Sequence, residues 1–214
     1  PYLANPNFEF VPADYTDADK ISATLEGVSD VVMLGGLVGD PITKKYPDES
    51  HKINHQGYED LIDQLNGRGL NKVIFISTCS NYGLMQGDEI ADENSELNPL
   101  SAYAHAKVAI EKRLLAIGES VDFQPTVLRF ATAFGLSPRM RFDLTISQFT
   151  REIAVGDDVL VYDADTWRPY CHVLDFSEVI RRVLEAPKER VTLQVFNAGG
   201  DKNNQTKRMI IEAV

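Results

Sequence analysis

The sequence predicts an α/β protein built on a doubly wound parallel sheet, with a small lobe at its C-terminal end. Short apolar runs that suit buried strands alternate with longer stretches that suit helices, as in parallel strands joined by crossover helices. The clearest run begins at Lys72 and continues to Gly83 as a buried strand followed by a loop. The sequence pattern changes near Gly135, where we predict that the lobe begins to leave the sheet.

The N-terminal part of the chain predicts two strands and two helices. The first strand is Phe8 to Val11. A helix with a capping-box-like start, Thr16 to Asp19, follows and ends at Gly27. The second strand is Val31 to Leu34, and after a polar loop a helix runs from about residue 50 to residue 66.

The rest of the chain continues the alternation of strands and helices. We predict, in order, a strand at 73–76, an acidic loop at 84–98, a helix at 100–116, a strand at 126–130, a loop and helix within 139–155, a short strand at 159–162, a helix at 176–185, a strand at 193–197 and a helix that begins at 206.

One pair of residues in the 100–116 helix indicates chemistry. Tyr103 and Lys107 lie one helical turn apart, so the lysine is close enough to stabilise a phenolate whose pKa is otherwise near ~10. A strand that ends at Thr78 precedes them, and its hydroxyl can hold a substrate alcohol against the tyrosine. Such a set can move a proton while a hydride leaves the same carbon. Because the pair alone also occurs by chance in ordinary helices, its position after a buried strand is what supports the interpretation.

Several motifs occur in an order that is typical of one family. They are Val11 to Asp14, Asp30 to Gly36, Asn54, Ser77-Thr78 with Tyr82-Gly83, Pro99-x-Ser-x-Tyr103 with Lys107, Leu128 to Gly135, Arg168 to Asp175, and Phe196 to Gly199. In these motifs the chain resembles the extended short-chain dehydrogenase/reductase family of nucleotide-sugar epimerases and dehydratases. The resemblance implies NAD as the cofactor, with NADP still possible, and a nucleotide-diphosphate sugar as the substrate.

The resemblance also assigns site residues. The catalytic set is Thr78, Tyr103 and Lys107. The cofactor would contact Asp14, Tyr15, Leu34, Gly35, Gly36, Asn54, Ser77, Tyr103, Lys107 and Phe130. The substrate would contact Thr78, Cys79, Ser80, Thr132 and Arg168, with the arginine on its diphosphate. Residues 1–135 would form a partial dinucleotide-binding domain, and residues 136–214 a substrate lobe interleaved with the last strands.

A glycine-rich phosphate loop is missing from this sequence. The family has Gly-x-x-Gly-x-x-Gly after its first strand, and no such motif occurs here. We therefore expect that the first strand-helix-strand unit is absent and that the chain is an internal piece of a protein of about 300 residues. A protein that has lost its loop is the alternative, which would expose apolar sheet edges. The strands at Phe8 and Val31 are expected on one side of the missing strand, and those at Val73 and Thr126 on the other.

The reaction predicted from the resemblance is epimerisation through a transient keto-sugar. The related 4,6-dehydratases have an Asp-Glu pair after the threonine, where this chain has Cys79 and Ser80. An epimerase needs no such carboxylates, and neither does a nucleotide-sugar ketoreductase. A ketoreductase and other sugar dehydratases are therefore kept as alternatives. A non-catalytic NAD(P)-sensing protein is the alternative of another class.

Composition and charge limit the kinds of partner that we expect for this protein. A net charge of −11 argues against nucleic acid, and no apolar run is long enough to predict a membrane span. Two cysteines and four histidines show no metal-ligand spacing, so no metal is predicted, and a reduced cytoplasmic setting is expected. The resemblance also implies a homodimer, in which the helices at 50–66 and 100–116 pack against those of a second subunit. The helix at 100–116 has a thinner second apolar stripe and the helix at 50–66 a broad apolar face, which agree with this expectation.

Overall fold

The computed structural model of the chain describes residues 4–85 and 89–214, apart from the side chains of residues 40 and 119. Its strands are β1 (Asp30–Met33), β2 (Lys72–Thr78), β3 (Gln124–Phe130), β4 (Thr132–Phe134), β5 (Trp167–His172), β6 (Gln194–Ala198) and β7 (Asn204–Thr206). Its α-helices are α1 (Ala18–Thr24), α2 (Asp40–Lys45), α3 (Pro47–His51), α4 (Gly57–Leu65), α5 (Ala102–Ile117), α6 (Thr145–Val155), α7 (Val173–Glu185), α8 (Lys188–Val191) and α9 (Lys207–Ala213).

Two sheets organise the chain. The main sheet has the strand order β1-β2-β3-β6, and every pair in it is parallel, as the sequence predicts. The second sheet has the order β4-β5-β7, in which β5 pairs parallel with β4 and antiparallel with β7. Since β4 begins two residues after β3 ends, the second sheet starts at the carboxyl edge of the first.

Helices cover both faces of the main sheet. Successive side chains of β2 point to opposite faces, so Phe75 packs with α4 and α5 while Ile74 packs with α7. Leu65 and Leu114 are fully buried in the first of these cores. Burial of each such side chain stabilises the fold by about 1.5–3 kcal/mol, which fixes α5 against the strand that precedes it.

The strand predicted at Phe8 to Val11 is wrong. Residues 7 to 14 have no regular structure, and Phe8, Phe10 and Val11 are 46%, 68% and 45% exposed. A strand needs a hydrogen-bonding neighbour, and no described strand lies beyond β1 on that side of the sheet. The apolar pattern therefore marks a segment that is not paired in this structure.

The predicted placement of the Val31 strand is also wrong. Val31 pairs directly with Val73, so β1 and β2 are neighbours and both lie on the same side of the position expected for a missing strand. The connection between them, which includes α4, is a crossover between adjacent parallel strands, the commonest arrangement for consecutive strands. Among the strands that the structure describes, β1 lies at the edge of the main sheet.

Two loops differ from the prediction. The strand predicted at 159–162 is absent, because Val159 and Val161 pack against the Phe149 cluster without any strand pairing, so their alternation reflects burial alone. The polar loop after β1 contains α2 and α3, and a π-helical turn, Lys52–Gln56, joins α3 to α4. Residues 86–88 of the predicted acidic loop lie outside the described residues.

Candidate active site

The carboxyl ends of the parallel strands bring several predicted site residues to one edge of the main sheet. Leu34 directly follows β1, Thr78 ends β2, and Phe130 ends β3. Thr78 and Phe130 are partners in the strand register, so they lie side by side. Thr132 begins β4 at the same edge. This edge is where open α/β sheets bind their ligands.

The first two turns of α5 carry the tyrosine and the lysine of the predicted pair. Ser101 caps the helix, because its hydroxyl accepts a hydrogen bond from the Ala104 amide at 3.2 Å. Tyr103 is therefore the second residue of the helix and is half-buried, and Lys107 follows one turn later. The Lys107 ammonium donates to the carbonyl oxygen of Ile76 at 2.8 Å. The predicted Tyr-Lys pair is thus held against the last residues of β2.

Lys107 is buried and surrounded mainly by aromatic rings. Its side chain is 4% exposed, and its Nζ lies 4.5 Å from the Phe75 ring centroid, 5.2 Å from that of Tyr58 and 5.7 Å from that of Tyr103. Burial lowers the pKa of Lys107 to about 8, and the nearby Glu111 carboxylate opposes this effect. The lysine therefore still carries its charge near pH 7 and places it close to the tyrosine ring.

The end of β2 carries the residues predicted to touch the substrate. The Thr78 hydroxyl accepts a hydrogen bond from the Ser80 amide at 3.2 Å and begins the short 3-10 turn Cys79–Tyr82. Burial raises the pKa of the Cys79 thiol, and the charge of Arg168 acts in the opposite direction. Arg168 on β5 therefore lies within electrostatic range of this strand end, and Cys79 is a neutral thiol near pH 7.

Hydrogen bonds from α4 and from the π-helical turn that precedes α4 hold the loop after β1 in place. Asn54, which is 2% exposed, accepts from the Leu37 amide and donates to the Leu37 carbonyl, both at 2.8 Å. The Tyr58 hydroxyl donates to the Gly35 carbonyl at 2.6 Å. Gly36 has a φ of +129°, and a Cβ there would lie 2.7 Å from the Asn54 amide oxygen. Asn54 was predicted as a cofactor contact, and its side chain is committed to shaping this loop.

Asp14 and Tyr15 lie at the outer side of the same loop. Asp14 accepts from the amide and hydroxyl of Thr16, both at 2.9 Å, and these bonds lower the pKa of its exposed carboxyl group. The Tyr15 hydroxyl donates to the Ile53 carbonyl at 2.7 Å. A Cβ on Gly35 would lie 2.9 Å from the Tyr15 ring, so the aromatic ring packs directly on the glycine backbone. The structure thereby groups Tyr15 with the predicted glycine loop.

Phe130, Thr132 and Arg168 mark the boundary between the two sheets. The Phe130 ring stacks on Phe176 of α7 with centroids 3.8 Å apart and planes 6° from parallel. Thr132 pairs in register with Tyr170, which places it next to the strand that carries Arg168. Arg168 is exposed. Its guanidinium is available to an anionic ligand at the mouth of the site.

A buried polar cluster behind Tyr103 and Lys107 was not predicted from the sequence. Glu111 is 1% exposed, and its carboxylate accepts from the Ser77 hydroxyl and from the Asn81 amide, the latter at 2.6 Å. Arg129 of β3 donates to the same carboxylate from two nitrogens, at 2.8 Å and 3.1 Å. Ser77, predicted as a cofactor contact, thus directs its hydroxyl at α5.

The same cluster reaches the acidic loop and β6. Arg129 donates to the Tyr82 hydroxyl at 2.8 Å, and Tyr82 donates to the Asn197 side chain at 2.7 Å. The Asn197 amide donates to the Glu93 carboxylate at 2.7 Å. The spacing of Glu111, one turn after Lys107 on the same helix face, was the available sequence signal.

The parallel sheet and the Tyr-Lys pair at its carboxyl edge define a Rossmann-type protein of the short-chain dehydrogenase/reductase class. A model of the NAD dependent epimerase/dehydratase family matches residues 2–199. This chain therefore belongs to that family, as the sequence motifs predict.

Known relatives agree with this assignment. An uncharacterized UDP-glucose epimerase of Bacillus subtilis is 25% identical over 212 residues, which cover 97% of this chain and 64% of that protein. A UDP-glucose 4-epimerase of Thermus thermophilus, solved with NAD, superposes with a TM-score of 0.84 at 21% identity, covering 98% of this chain and 69% of that one. A dTDP-glucose 4,6-dehydratase of Streptomyces venezuelae, solved with NAD, gives 0.87 at 22% identity, covering 100% and 64%. At these identities, the solved structures establish the fold.

Proposed function

We propose that this chain carries the catalytic part of an NAD-dependent enzyme that epimerises a nucleotide-diphosphate sugar through a transient keto-sugar. The observation that carries the proposal is the pairing of Tyr103 with buried, charged Lys107 at the carboxyl edge of a parallel sheet. Relatives whose names describe epimerases of UDP-glucose support this reading. The chain spans 64% of the length of the Bacillus relative, so the activity is proposed for the complete protein that contains it.

The residues of this edge fit the nicotinamide end of a dinucleotide. The Lys107 ammonium lies 5.7 Å from the Tyr103 ring centroid and binds the Ile76 carbonyl, two residues before the Thr78 hydroxyl, and the loop after β1 offers backbone close to the edge through Gly35 and Gly36. When bound, NAD would accept a hydride from the sugar and return it. Lys107 and Tyr103 would hold its ribose, and Tyr15 with Leu34 would line its adenosine side.

The proton chemistry follows from Tyr103 and Lys107. Tyr103, as phenolate, takes the proton of the sugar hydroxyl while the C–H bond of the same carbon breaks, so a C=O bond forms. The charge of Lys107 stabilises that phenolate from one helical turn away. Thr78 would hold the sugar oxygen during the transfer. After the keto-sugar has rotated in the site, the hydride would return from the cofactor to the opposite face of the same carbon, Tyr103 returns the proton to the oxygen, and the opposite configuration results.

Cys79 and Ser80 argue against elimination of water. A 4,6-dehydration needs one group to protonate the leaving hydroxyl and another to remove a proton next to the ketone. The neutral thiol of Cys79 and the hydroxyl of Ser80 supply neither a carboxylic acid nor a carboxylate. Arg168, exposed at the mouth of the site, is proposed to bind the diphosphate of the substrate.

Incubation with NAD and no reduced cofactor tests the proposal. The complete protein is given UDP-glucose, UDP-glucuronic acid or dTDP-glucose, and the 4-epimer is followed by NMR. We expect catalytic interconversion of at least one pair, which Tyr103→Phe abolishes. Formation of one equivalent of keto-sugar without an epimer would indicate a ketoreductase. Bound NAD without any reaction would indicate a sensing protein.

A homodimer is a further part of the proposal. Tyr58, Leu61, Ile62 and Leu65, which form the broad apolar face predicted for the 50–66 helix, are all buried within this chain. On α5, however, Ala102, Ala109 and Ala116 recur every seven residues on its less buried side, where small side chains would allow a partner helix to approach closely. Light scattering of the complete protein at micromolar concentration decides this: the proposal requires twice the monomer mass.

A further inference from the structure

Glu111 shares a helix face with the two proposed catalytic residues of α5. Tyr103, Lys107 and Glu111 follow one another at intervals of four residues, so their side chains form a row that faces β2 and β3. Unlike a solvated helix charge, the Glu111 carboxylate is 1% exposed, and Ser77, Asn81 and Arg129 satisfy it.

Two successive residues of β2 are fastened to this row. The Ile76 carbonyl accepts from Lys107 at 2.8 Å, and the Ser77 hydroxyl donates to Glu111. Two contacts one turn apart on the helix, made to adjacent strand residues, fix both the translation and the rotation of α5 along β2. Thr78 is the next strand residue, so the same contacts determine where Tyr103 lies relative to Thr78.

We propose that Glu111 is a positioning residue, which holds Tyr103 and Lys107 in register with the end of β2 and keeps the lysine charged. It touches neither substrate nor cofactor and acts through Ser77 and Lys107. The proposal rests on the proposed function, because it assigns Glu111 to the same site.

The charges around Lys107 support the second half of the proposal. Among the described groups, Lys107 faces Glu111 and Tyr103 on its own helix, Tyr58 on α4 and the Phe75 ring on β2. Glu111 opposes the effect of burial on the pKa of Lys107. Arg129, from β3, pairs with Glu111 and would be left as an uncompensated positive charge without it.

The first test measures Lys107 itself. In the complete protein, the Lys107 ammonium is titrated by NMR, with Lys107→Met to identify its signal. We expect Glu111→Gln to lower the midpoint by about one pH unit and Glu111→Asp to restore most of it. Lys72→Met is the matched control, since Lys72 is a buried lysine at the start of β2 whose ammonium donates to the Leu184 and Ala186 carbonyls. It should leave the midpoint unchanged.

The second test uses the turnover rate to detect a displacement of Tyr103 and Lys107. With NAD and the reactive sugar nucleotide, Glu111→Gln should lower kcat by roughly 10- to 100-fold, because small displacements of catalytic groups cost that much. KM and the Kd of NAD should change less than about threefold, since Glu111 is proposed to contact neither the substrate nor the cofactor. A loss of thermal stability with unchanged kcat and an unchanged Lys107 midpoint would overturn the proposal.

Ser77→Ala keeps the test decisive if Glu111→Gln does not fold. It removes one hydroxyl, should lower kcat, and should preserve the Lys107 midpoint, because the Glu111 charge remains. Thr126→Val is its control, as Thr126 is also buried, on β3, and its hydroxyl donates to the Val191 carbonyl, which lies outside the Glu111 cluster. Unchanged kcat in Ser77→Ala would refute the proposal that the contact between Ser77 and Glu111 keeps α5 in register with β2. If no sugar nucleotide reacts, the proposed function fails, and the Lys107 titration still decides the role of Glu111.

Discussion

Asn54 holds the backbone of Leu37 from both sides, accepting from its amide and donating to its carbonyl at 2.8 Å each. This pair of hydrogen bonds fixes the loop that contains Gly35 and Gly36, although Asn54 itself is buried beneath that loop. Asn54 therefore shapes a loop that contains two other residues predicted to contact the cofactor.

Replacement of Asn54 with Ala should weaken NAD binding. Both Leu37 groups lose their partner, which we expect to cost about 1–3 kcal/mol of unfolding free energy and to raise the NAD Kd about tenfold. Calorimetry measures both quantities. Gln64→Ala on α4 is the control, since its side-chain amide donates to the Asp60 carbonyl of the same helix. An unchanged Kd in a destabilised Asn54→Ala protein would contradict this role.

Replacement of Tyr103 with Phe should remove most turnover and preserve binding. The phenol oxygen is the only atom lost, and proton transfer by a positioned group is worth about 10²- to 10⁴-fold. Steady-state assays with NAD and the reactive sugar nucleotide give kcat, and calorimetry gives the Kd of each ligand. Tyr46→Phe serves as the control, because Tyr46 is an exposed tyrosine. Wild-type kcat in Tyr103→Phe would refute the assignment of the proton to this residue.

Lys107 should make the protein more stable as the solution becomes alkaline. The unfolded chain holds the lysine proton up to its ordinary pKa of 10.5, and the folded chain only up to about 8. Between these values the unfolded state binds more protons, so the unfolding free energy rises with pH, by about 3 kcal/mol in total.

The measurement is the difference in unfolding free energy between wild type and Lys107→Met from pH 7 to pH 10.5, by urea denaturation. Subtraction removes the contributions of Tyr15 and Tyr58, whose pKa values burial raises. A difference that stays flat over this range would show that the folded state leaves the lysine pKa near its ordinary value.

Breaking the Arg129–Glu111 pair should destabilise the fold more than replacing both partners. Arg129→Met leaves a buried carboxylate with fewer donors and should lower the unfolding free energy by about 3–5 kcal/mol. The double variant Arg129→Met, Glu111→Leu removes both charges of the pair, so neither partner is left unpaired, and it should recover most of that loss. Denaturation of the three proteins decides it, and equal stability of the single and double variants would contradict the prediction.

The sequence predicts strands where burial and periodicity agree, as in β2 and β3, whose side chains are buried on both faces. It misleads at Phe8 to Val11 and at Val159 to Tyr162, because a β-like pattern does not provide a pairing strand. The strand order was also predicted incorrectly, since alternation of strands and helices does not specify which strand pairs with β1.

At the site, regular helical spacing predicts Tyr103 and Lys107, and a strand end predicts Thr78. The partners of Glu111 could not be predicted in the same way, because Ser77, Asn81 and Arg129 come from three other elements that only the folded sheet brings together. A lone Glu four residues after a Lys is also common on solvated helices, so its spacing carries little information.

The most direct test of the account follows a deuterium label at C4 of the sugar. The complete protein, with NAD in ordinary water, is given UDP-glucose, UDP-glucuronic acid or dTDP-glucose that carries deuterium at C4, and the products are analysed by NMR and mass spectrometry. Hydride removal and return at one carbon predict a 4-epimer that retains the deuterium, with a slower rate than the unlabelled sugar. An epimer that has exchanged its deuterium for solvent hydrogen, or no epimer from any of the three, would contradict the account.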